Sequence, residues 1–471
     1  MVFNTLTFAA FFLVVVLLHS LPLDWKVRKI NLLIASYVFY AAWNPPFILL
    51  LWISTVVDWY AAQGLVRAER PASRRAWMLL SVVANLGMLL YFKYGTFLLH
   101  NCTAILAAFG VHYQAPQFDI VLPVGISFYT FATMSYTLDV YLRRALPARN
   151  FLDYALFVTF FPHLVAGPIM RPTELVPQFE TPRRASAQQL CFGLGLMTIG
   201  LFNKVVLADT FLSGAAERVF DSASAPGLID GWIGTLAFSG QIFCDFAGYS
   251  TTAIGAALCL GFYMPDNFRF PYAAVGFSDF WRRWHITLSS WLRDYLYIPL
   301  GGNRHGPVRL NVALMTTMLL GGLWHGANWT FVVWGGLHGV YLVAERRIRA
   351  LLSGYRPGAL ALFGLGLLTY MLVNLTWVFF RAKNFTIAWH VLRGMLGFNG
   401  DAKPILPTVF IVSVAAIMPL LVAVHWYMRE RTLESALARL PPALIALGWG
   451  LMAFLIVISQ GAGNAFIYFQ F

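Results

Sequence analysis

His325 has the surroundings in this chain that point most directly to chemistry. It lies in Met315-Thr-Thr-Met-Leu-Leu-Gly-Gly-Leu-Trp-His-Gly-Ala-Asn-Trp-Thr330, an imidazole inside an apolar run. Gly321, Gly322 and Gly326 flank it and let a backbone or a ligand approach closely. Ionisable groups inside apolar segments are costly and mark function by default. The unperturbed pKa of histidine lies near neutrality, which suits it to take a proton from a hydroxyl. The structural alternative is a histidine bonded between helices or lining a pore.

A second histidine, His285, lies in the aromatic and basic run from Phe280 to Pro299. Read as one helix, Trp281, Trp284, His285, Leu288, Trp291, Leu292 and Tyr295 share a face, and Arg282, Arg283, Ser289 and Arg293 gather on the other. Such a helix can lie at the membrane interface with its basic face toward headgroups, which would account for the arginines. It does not account for His285, whose imidazole needs a partner on the apolar face. Pro299 and Gly301-Gly302 end the element, and Asn303, Arg304 and His305 open a polar loop.

The other charges in apolar surroundings are Asp58, Lys93, Asp139, Lys204, Asp209, Asp245 and Glu345, and most are expected to pair with an arginine or lysine. His338 would sit roughly 20 Å beyond His325 on an unbroken helix and reads as packing. His163, beside Pro162, is ambiguous. Several chemistries are absent from the sequence: no HExxH or local metal-ligand spacing, no Walker A loop, no DxD pair and no GxSxG elbow.

The elements that must position these residues are membrane helices. Of 471 residues, 59% are hydrophobic and 11% charged, against about a quarter charged in soluble domains. Runs near the roughly 20 residues needed to cross hydrocarbon recur at 3–23, 30–43, 47–65, 76–92, 94–109, 120–140, 188–211, 228–260, 310–322, 329–343, 359–380, 405–424 and 444–458. Pro45-Pro46 turns the second into the third. Several are short or broken by Gly and Pro, so re-entrant pieces are expected at 161–172 and 267–299, where protein or a water cavity must cover non-helical backbone.

The net charge of +13 sits in short Lys/Arg clusters between apolar runs: Lys26, Arg28 and Lys29, then Arg67, Arg70, Arg74 and Arg75. That is the distribution of cytoplasmic loops, not of a nucleic-acid footprint, and it places the N-terminus outside. Some of the charge could also attract anionic lipid headgroups or a phosphate-bearing donor. The first 23 residues lack a basic n-region and a small-residue cleavage site, so they read as a retained span. The four cysteines are widely spaced and imply no disulfide framework. There is no internal repeat and no soluble domain. The chain is expected to be one domain, 1–471, with its motifs concentrated at 120–345.

At these motifs the chain resembles the membrane-bound O-acyltransferase family, in its bacterial alginate O-acetylase branch. The likeness runs through Leu122-Pro-Val-Gly-Ile-Ser-Phe-Tyr-Thr-Phe131, Phe160-Phe-Pro-His-Leu-Val-Ala-Gly-Pro-Ile169, Asp245-Phe-Ala-Gly-Tyr-Ser250, residues 280–302 and 322–327, Trp377-Val-Phe-Phe-Arg381 and the terminal Phe466-Ile-Tyr-Phe-Gln-Phe471. It departs at Asn203, where the family often has a second basic residue before Lys204, and at His163, a site often held by other polar residues.

The resemblance implies an all-α polytopic protein of the bacterial inner membrane, with a helical core around a funnel and re-entrant and interfacial helices. It implies that His325 is the family's essential histidine and His285 its second motif histidine. The expected donor is acetyl-CoA, a substrate and not a resident cofactor. The expected acceptor is a cell-surface polysaccharide such as alginate, reached through a periplasmic partner with a serine esterase-type fold. Donor phosphates are expected at Arg282, Arg283, Arg304 and Arg309, with Trp324 beside them. Asp294, Asn303, Asn328 and Asp245 are expected to support the site, and no metal is expected. Three rivals share parts of this pattern: the related branch that moves D-alanine toward teichoic acids, a transporter without chemistry, and a membrane anchor for a surface-polymer complex.

Overall fold

In hydrocarbon a backbone finds no water, so a chain this apolar must close its hydrogen bonds within helices. The computed structural model describes residues 1–113, 120–354 and 357–460, and every regular element among them is helical. The terminal stretch from Phe466 to Phe471 lies outside the described residues. Among the described residues, six helices are long and apolar enough to cross a membrane: Pro45–Arg67, Pro71–Ala108, Ala187–Phe220, Leu228–Cys259, Ala359–Arg381 and Thr408–Met428. Leu6–Ser20 and Pro442–Ile458 are shorter apolar helices. The chain is therefore an all-α polytopic membrane protein.

One expectation about the spans is corrected. Residues 76–92 and 94–109 are not two spans but parts of a single 38-residue helix, Pro71–Ala108. No proline interrupts this stretch, and a π-helical turn at Leu90–Tyr94 absorbs the local irregularity without ending the helix.

The chain falls into two compact units. The first comprises Met1–Met197 and Ser250–Pro265. Its polar residues meet across helices: Asn85 donates Nδ2 to Asp58 (2.7 Å), Thr137 donates to Asp58 (3.1 Å), and Ser54 donates to Asn85 (2.7 Å). Asp58 is thus met by an amide and a hydroxyl, not by the base expected from the sequence, because the facing helices offer only uncharged donors there. Lys29 and Asp153 do form a buried ion pair. The re-entrant expectation at 161–172 corresponds to one helical turn, Phe161–Leu164, followed by buried irregular backbone. His163 makes a structural bond, its Nε2–H donating to the Phe157 carbonyl (2.9 Å).

The second unit comprises Thr198–Tyr249 and Asp266–Phe471. Its core is aromatic, with Phe238, Tyr272, Phe280, Trp284, Trp334, Trp377 and Phe380 all buried. Between membrane helices the hydrophobic drive is weak, and close approach of backbones through small residues takes its place. The hairpin of Gly306–His325 and Trp329–Leu351 is built in this way. A Cβ on Gly322 would fall 2.2 Å from the Phe331 carbonyl oxygen, and one on Gly335 would fall 2.2 Å from that of Met318. Only glycine allows the two helices to touch there.

Candidate functional site

The run from Phe280 to Pro299 is not the continuous helix its periodicity suggests. It breaks into Phe277–Arg283 and Ile286–Leu292, with Trp284 extended and His285 at φ 43° and ψ 55°. A left-handed conformation at a non-glycine residue is uncommon and needs support from its surroundings. Asn267 supplies that support. Its backbone carbonyl accepts from Ile286 N (2.9 Å), and its Oδ1 accepts from Thr287 Oγ1 (2.9 Å) and Thr287 N (3.3 Å). Arg269 N donates to the Arg283 carbonyl (2.8 Å). The groups released by the helix break are therefore taken up by residues 267–269, which are themselves non-helical, with Asn267 buried.

The break turns the His285 ring into the unit. Its Nδ1 lies 3.2 Å from Asn267 Oδ1, an arrangement in which Nδ1–H donates. The edge of Phe246 meets the ring at 4.7 Å between centroids. Trp324 stands 5.9 Å away and His325 6.3 Å.

His325 is the last residue of the Gly306–His325 helix, where Gly326 takes an extended conformation and ends it. A Cβ on Gly326 would lie 2.1 Å from the Phe331 ring, so the turn is seated directly on that phenyl group. The rings of Trp324 (5.0 Å), Trp334 (5.1 Å) and Phe380 (5.3 Å) surround the imidazole. His285 and His325 are 0% and 2% exposed, so both are held from bulk solvent.

His338 is corrected in position. The helix containing His325 ends at once, and the hairpin folds the next helix back. Trp334 contacts both imidazoles, 4.9 Å from His338 and 5.1 Å from His325. His338 Nε2 meets Thr376 Oγ1 at 3.0 Å, and that hydroxyl in turn donates to the Val373 carbonyl. His338 so packs against the same indole that packs on His325.

Among the other residues singled out from the sequence, Trp324 joins the histidine pair. Asp245 precedes Phe246 and belongs to a buried ionic cluster in which Lys204 Nζ reaches Asp245 Oδ1 (2.9 Å) and Asp209 Oδ1 (2.8 Å). These three pair with one another as expected. Asn328 caps the Trp329–Leu351 helix through Thr330 N (3.0 Å) and donates to the Lys383 carbonyl (2.9 Å). Arg283 is committed to Asp279 (3.0 Å), Glu430 (3.2 Å) and the Arg429 carbonyl (2.9 Å). These contacts engage most of its guanidinium. Arg282, Asn303, Arg304 and Arg309 are exposed. Arg309 bonds the Leu300 carbonyl (3.2 Å), and Asp294 pairs with Arg293 (2.7 Å). The sequence reading missed Asn267, Trp334 and Phe380. Phe380 lay within a recognised motif, while Asn267 is a lone amide with no periodic signal.

Two buried imidazoles edged by indoles suit proton transfer at a hydroxyl or thiol. Comparison with known proteins identifies the family. Residues 144–361 match the model of the membrane-bound O-acyltransferase family. A probable alginate O-acetylase AlgI of Azotobacter vinelandii is 43% identical over 377 residues, covering 79% of this chain and 74% of that one. The corresponding protein of Pseudomonas aeruginosa is 42% identical over 402 residues, 85% of this chain and 75% of its own. A peptidoglycan O-acetyltransferase of Helicobacter pylori is 39% identical over 401 residues, 79% of this chain and 74% of its own. With its helical membrane architecture and this degree of likeness, the chain belongs to the membrane-bound O-acyltransferase family and is an O-acetyltransferase.

Proposed function

We propose that the protein moves an acetyl group from cytoplasmic acetyl-CoA across the bacterial inner membrane for O-acetylation of a cell-surface polysaccharide such as alginate. The observation that carries this reading is the burial of His285 and His325 with their rings 6.3 Å apart in one aromatic pocket. His325 takes the proton of the acceptor hydroxyl as its oxygen attacks the thioester carbonyl. The carbon–sulfur bond breaks, and the proton passes from the imidazole to the departing thiolate. His285, held by Asn267, orients and polarises the pocket. Trp324 and Trp334 confine the reacting groups and keep water out, which limits hydrolysis of the thioester.

In this reading the whole chain works as one catalytic domain, with its N-terminus on the periplasmic side. The exposed arginines Arg282, Arg304 and Arg309 meet the donor's phosphates, since guanidinium pairs well with phosphate oxygens. A periplasmic partner of esterase-type fold passes the acetyl group on to the sugar hydroxyl. The probable alginate acetylases among the relatives support a polysaccharide acceptor, and the peptidoglycan O-acetyltransferase extends that class to other surface glycans.

The test uses purified protein in lipid nanodiscs with radiolabelled acetyl-CoA, following release of free thiol and the fate of the label. Wild type should release thiol, and His325→Ala should lower the rate by about 10²–10⁴-fold, the range for loss of a general base. Equal release by the two proteins would overturn the assignment of His325. Release by neither would overturn acetyl-CoA as donor.

A further inference from the structure

The first unit contains a cluster of arginines outside the histidine pocket. Arg28, near the start of the Trp25–Ala41 helix, is 3% exposed. Its Nη2 donates to the Arg183 carbonyl (2.5 Å) and lies 3.3 Å from His19 Nε2. Its guanidinium stacks on Trp25 at 5.2 Å from the ring centroid. Arg184 reaches the same place and donates Nη2 to the Leu21 carbonyl (3.0 Å). Gly261, at φ +85°, makes this possible. A Cβ there would stand 2.8 Å from the backbone carbon of Arg184, so the 260–262 turn is pressed against the arginine segment.

The cluster holds cations without the anions that should balance them. The nearby carboxylates are otherwise engaged: Asp24 accepts from Lys26 N, Asp153 pairs with Lys29, and Glu180 faces Arg149. Among the described residues, no carboxylate pairs with Arg28, Arg183 or Arg184. Three nitrogens here, Arg28 Nε, Arg183 Nε and His19 Nδ1, are buried with no hydrogen-bond partner among the described residues. Buried charges are ordinarily paired, and buried donors ordinarily bonded. Guanidinium groups with unused N–H edges match the oxygens of a phosphate.

The surroundings select the source of that phosphate. Leu17, Leu18, Leu21, Leu23, Val27 and Ile30 are all exposed, so the arginines adjoin the exposed apolar ends of two helices. We propose that Arg28, Arg183 and Arg184 hold the phosphate of an anionic phospholipid headgroup, with its acyl chains lying along the exposed apolar ends of the Leu6–Ser20 and Trp25–Ala41 helices. A soluble phosphate would satisfy the same N–H groups but would make no use of this apolar rim.

The full-length protein, purified in detergent, is titrated with phosphatidylglycerol or phosphatidylcholine, and lipid retention is read by native mass spectrometry. Phosphatidylglycerol should be retained at a clearly lower concentration than phosphatidylcholine. Arg184→Gln should weaken that retention about fivefold, the worth of one arginine near a charged lipid. Arg28→Lys keeps the charge but removes the fork and should fall in between. Arg70→Gln, in another basic loop, should change nothing. Because Arg184 is exposed, its variant tests the proposal even if changes at Arg28 impair folding. Equal retention by wild type and Arg184→Gln would overturn the site. Displacement of phosphatidylglycerol by inorganic phosphate or coenzyme A at low concentration would overturn the lipid as occupant and point to a soluble phosphate.

Discussion

The imidazoles of His285 and His325 lie 6.3 Å apart, centroid to centroid, with their planes at 64°. Neither ring reaches that position through a continuous helix. His285 turns inward at a left-handed break between two helices, and His325 ends a helix just before a hairpin. The pair exists because two separate interruptions of regular structure meet.

Asn267 is the group that holds the first interruption. Asn267→Ala removes the acceptor of two Thr287 bonds and of the His285 Nδ1 contact, and should cost about 1–3 kcal/mol of stability. Asn267→Asp keeps an oxygen at the same place and should retain more. As a positioning residue, Asn267 should lower kcat with little change in KM for acetyl-CoA. Thermal unfolding in detergent together with steady-state thiol release separates the two effects, and an unchanged kcat in the alanine variant would argue against the positioning role.

The hairpin around the second interruption depends on glycine. Gly335→Ala would push a methyl group against the Met318 carbonyl oxygen, a backbone atom that cannot swing aside. Thiol release should fall more than tenfold (about 1.4 kcal/mol or more of barrier), although neither histidine is changed. Gly358→Ala, where an added Cβ meets nothing within 4 Å, serves as the comparison and should behave as wild type.

Lys204 serves two carboxylates. Lys204→Met leaves Asp209 and Asp245 facing each other in a buried place and should destabilise the protein by about 3–5 kcal/mol. Adding Asp209→Asn should recover part of the loss, because it removes one of the uncompensated charges. Size-exclusion profiles and melting temperatures of the single and double variants report the coupling. Strictly additive losses would show that the three groups do not act as a unit.

Asp221 lies just beyond the end of the Ala187–Phe220 helix, where Arg381 Nη2 (2.7 Å) and Lys383 Nζ (2.8 Å) meet its carboxylate. Partial burial pushes its pKa up, but the hydrogen bonds from Lys383 and Arg381 outweigh that and hold it below the usual carboxylate value. A carboxyl depressed in the folded state contributes stability above its unfolded pKa, about 3.9, and loses it as pH falls through the folded value. Asp221→Asn should therefore lower the melting temperature at neutral pH and converge with wild type in acid. A constant gap between the two proteins from neutral to acid pH would remove this ion cluster as a source of pH dependence.

The sequence by itself determined the solvent in which this chain folds and the helical class, and it singled out the two histidines proposed for the site. Composition decides the first two: so few charges cannot cover a water-facing surface, and hydrocarbon permits only backbone whose hydrogen bonds are closed internally. The histidines stand out because an ionisable group in an apolar run needs a reason to be there. Periodicity could not show that the Phe280–Pro299 run would break at His285, since the aromatic face continues through the break without a change of pattern. The break is stabilised by Asn267, whose bonds form only once distant backbone is brought alongside. For the same reason His338, placed far from His325 by helical rise, lies one indole away once the hairpin closes. Local pattern records which face of a helix is apolar; where that helix stops, and what meets it there, is set by partners remote in sequence, and these only the tertiary structure brings together.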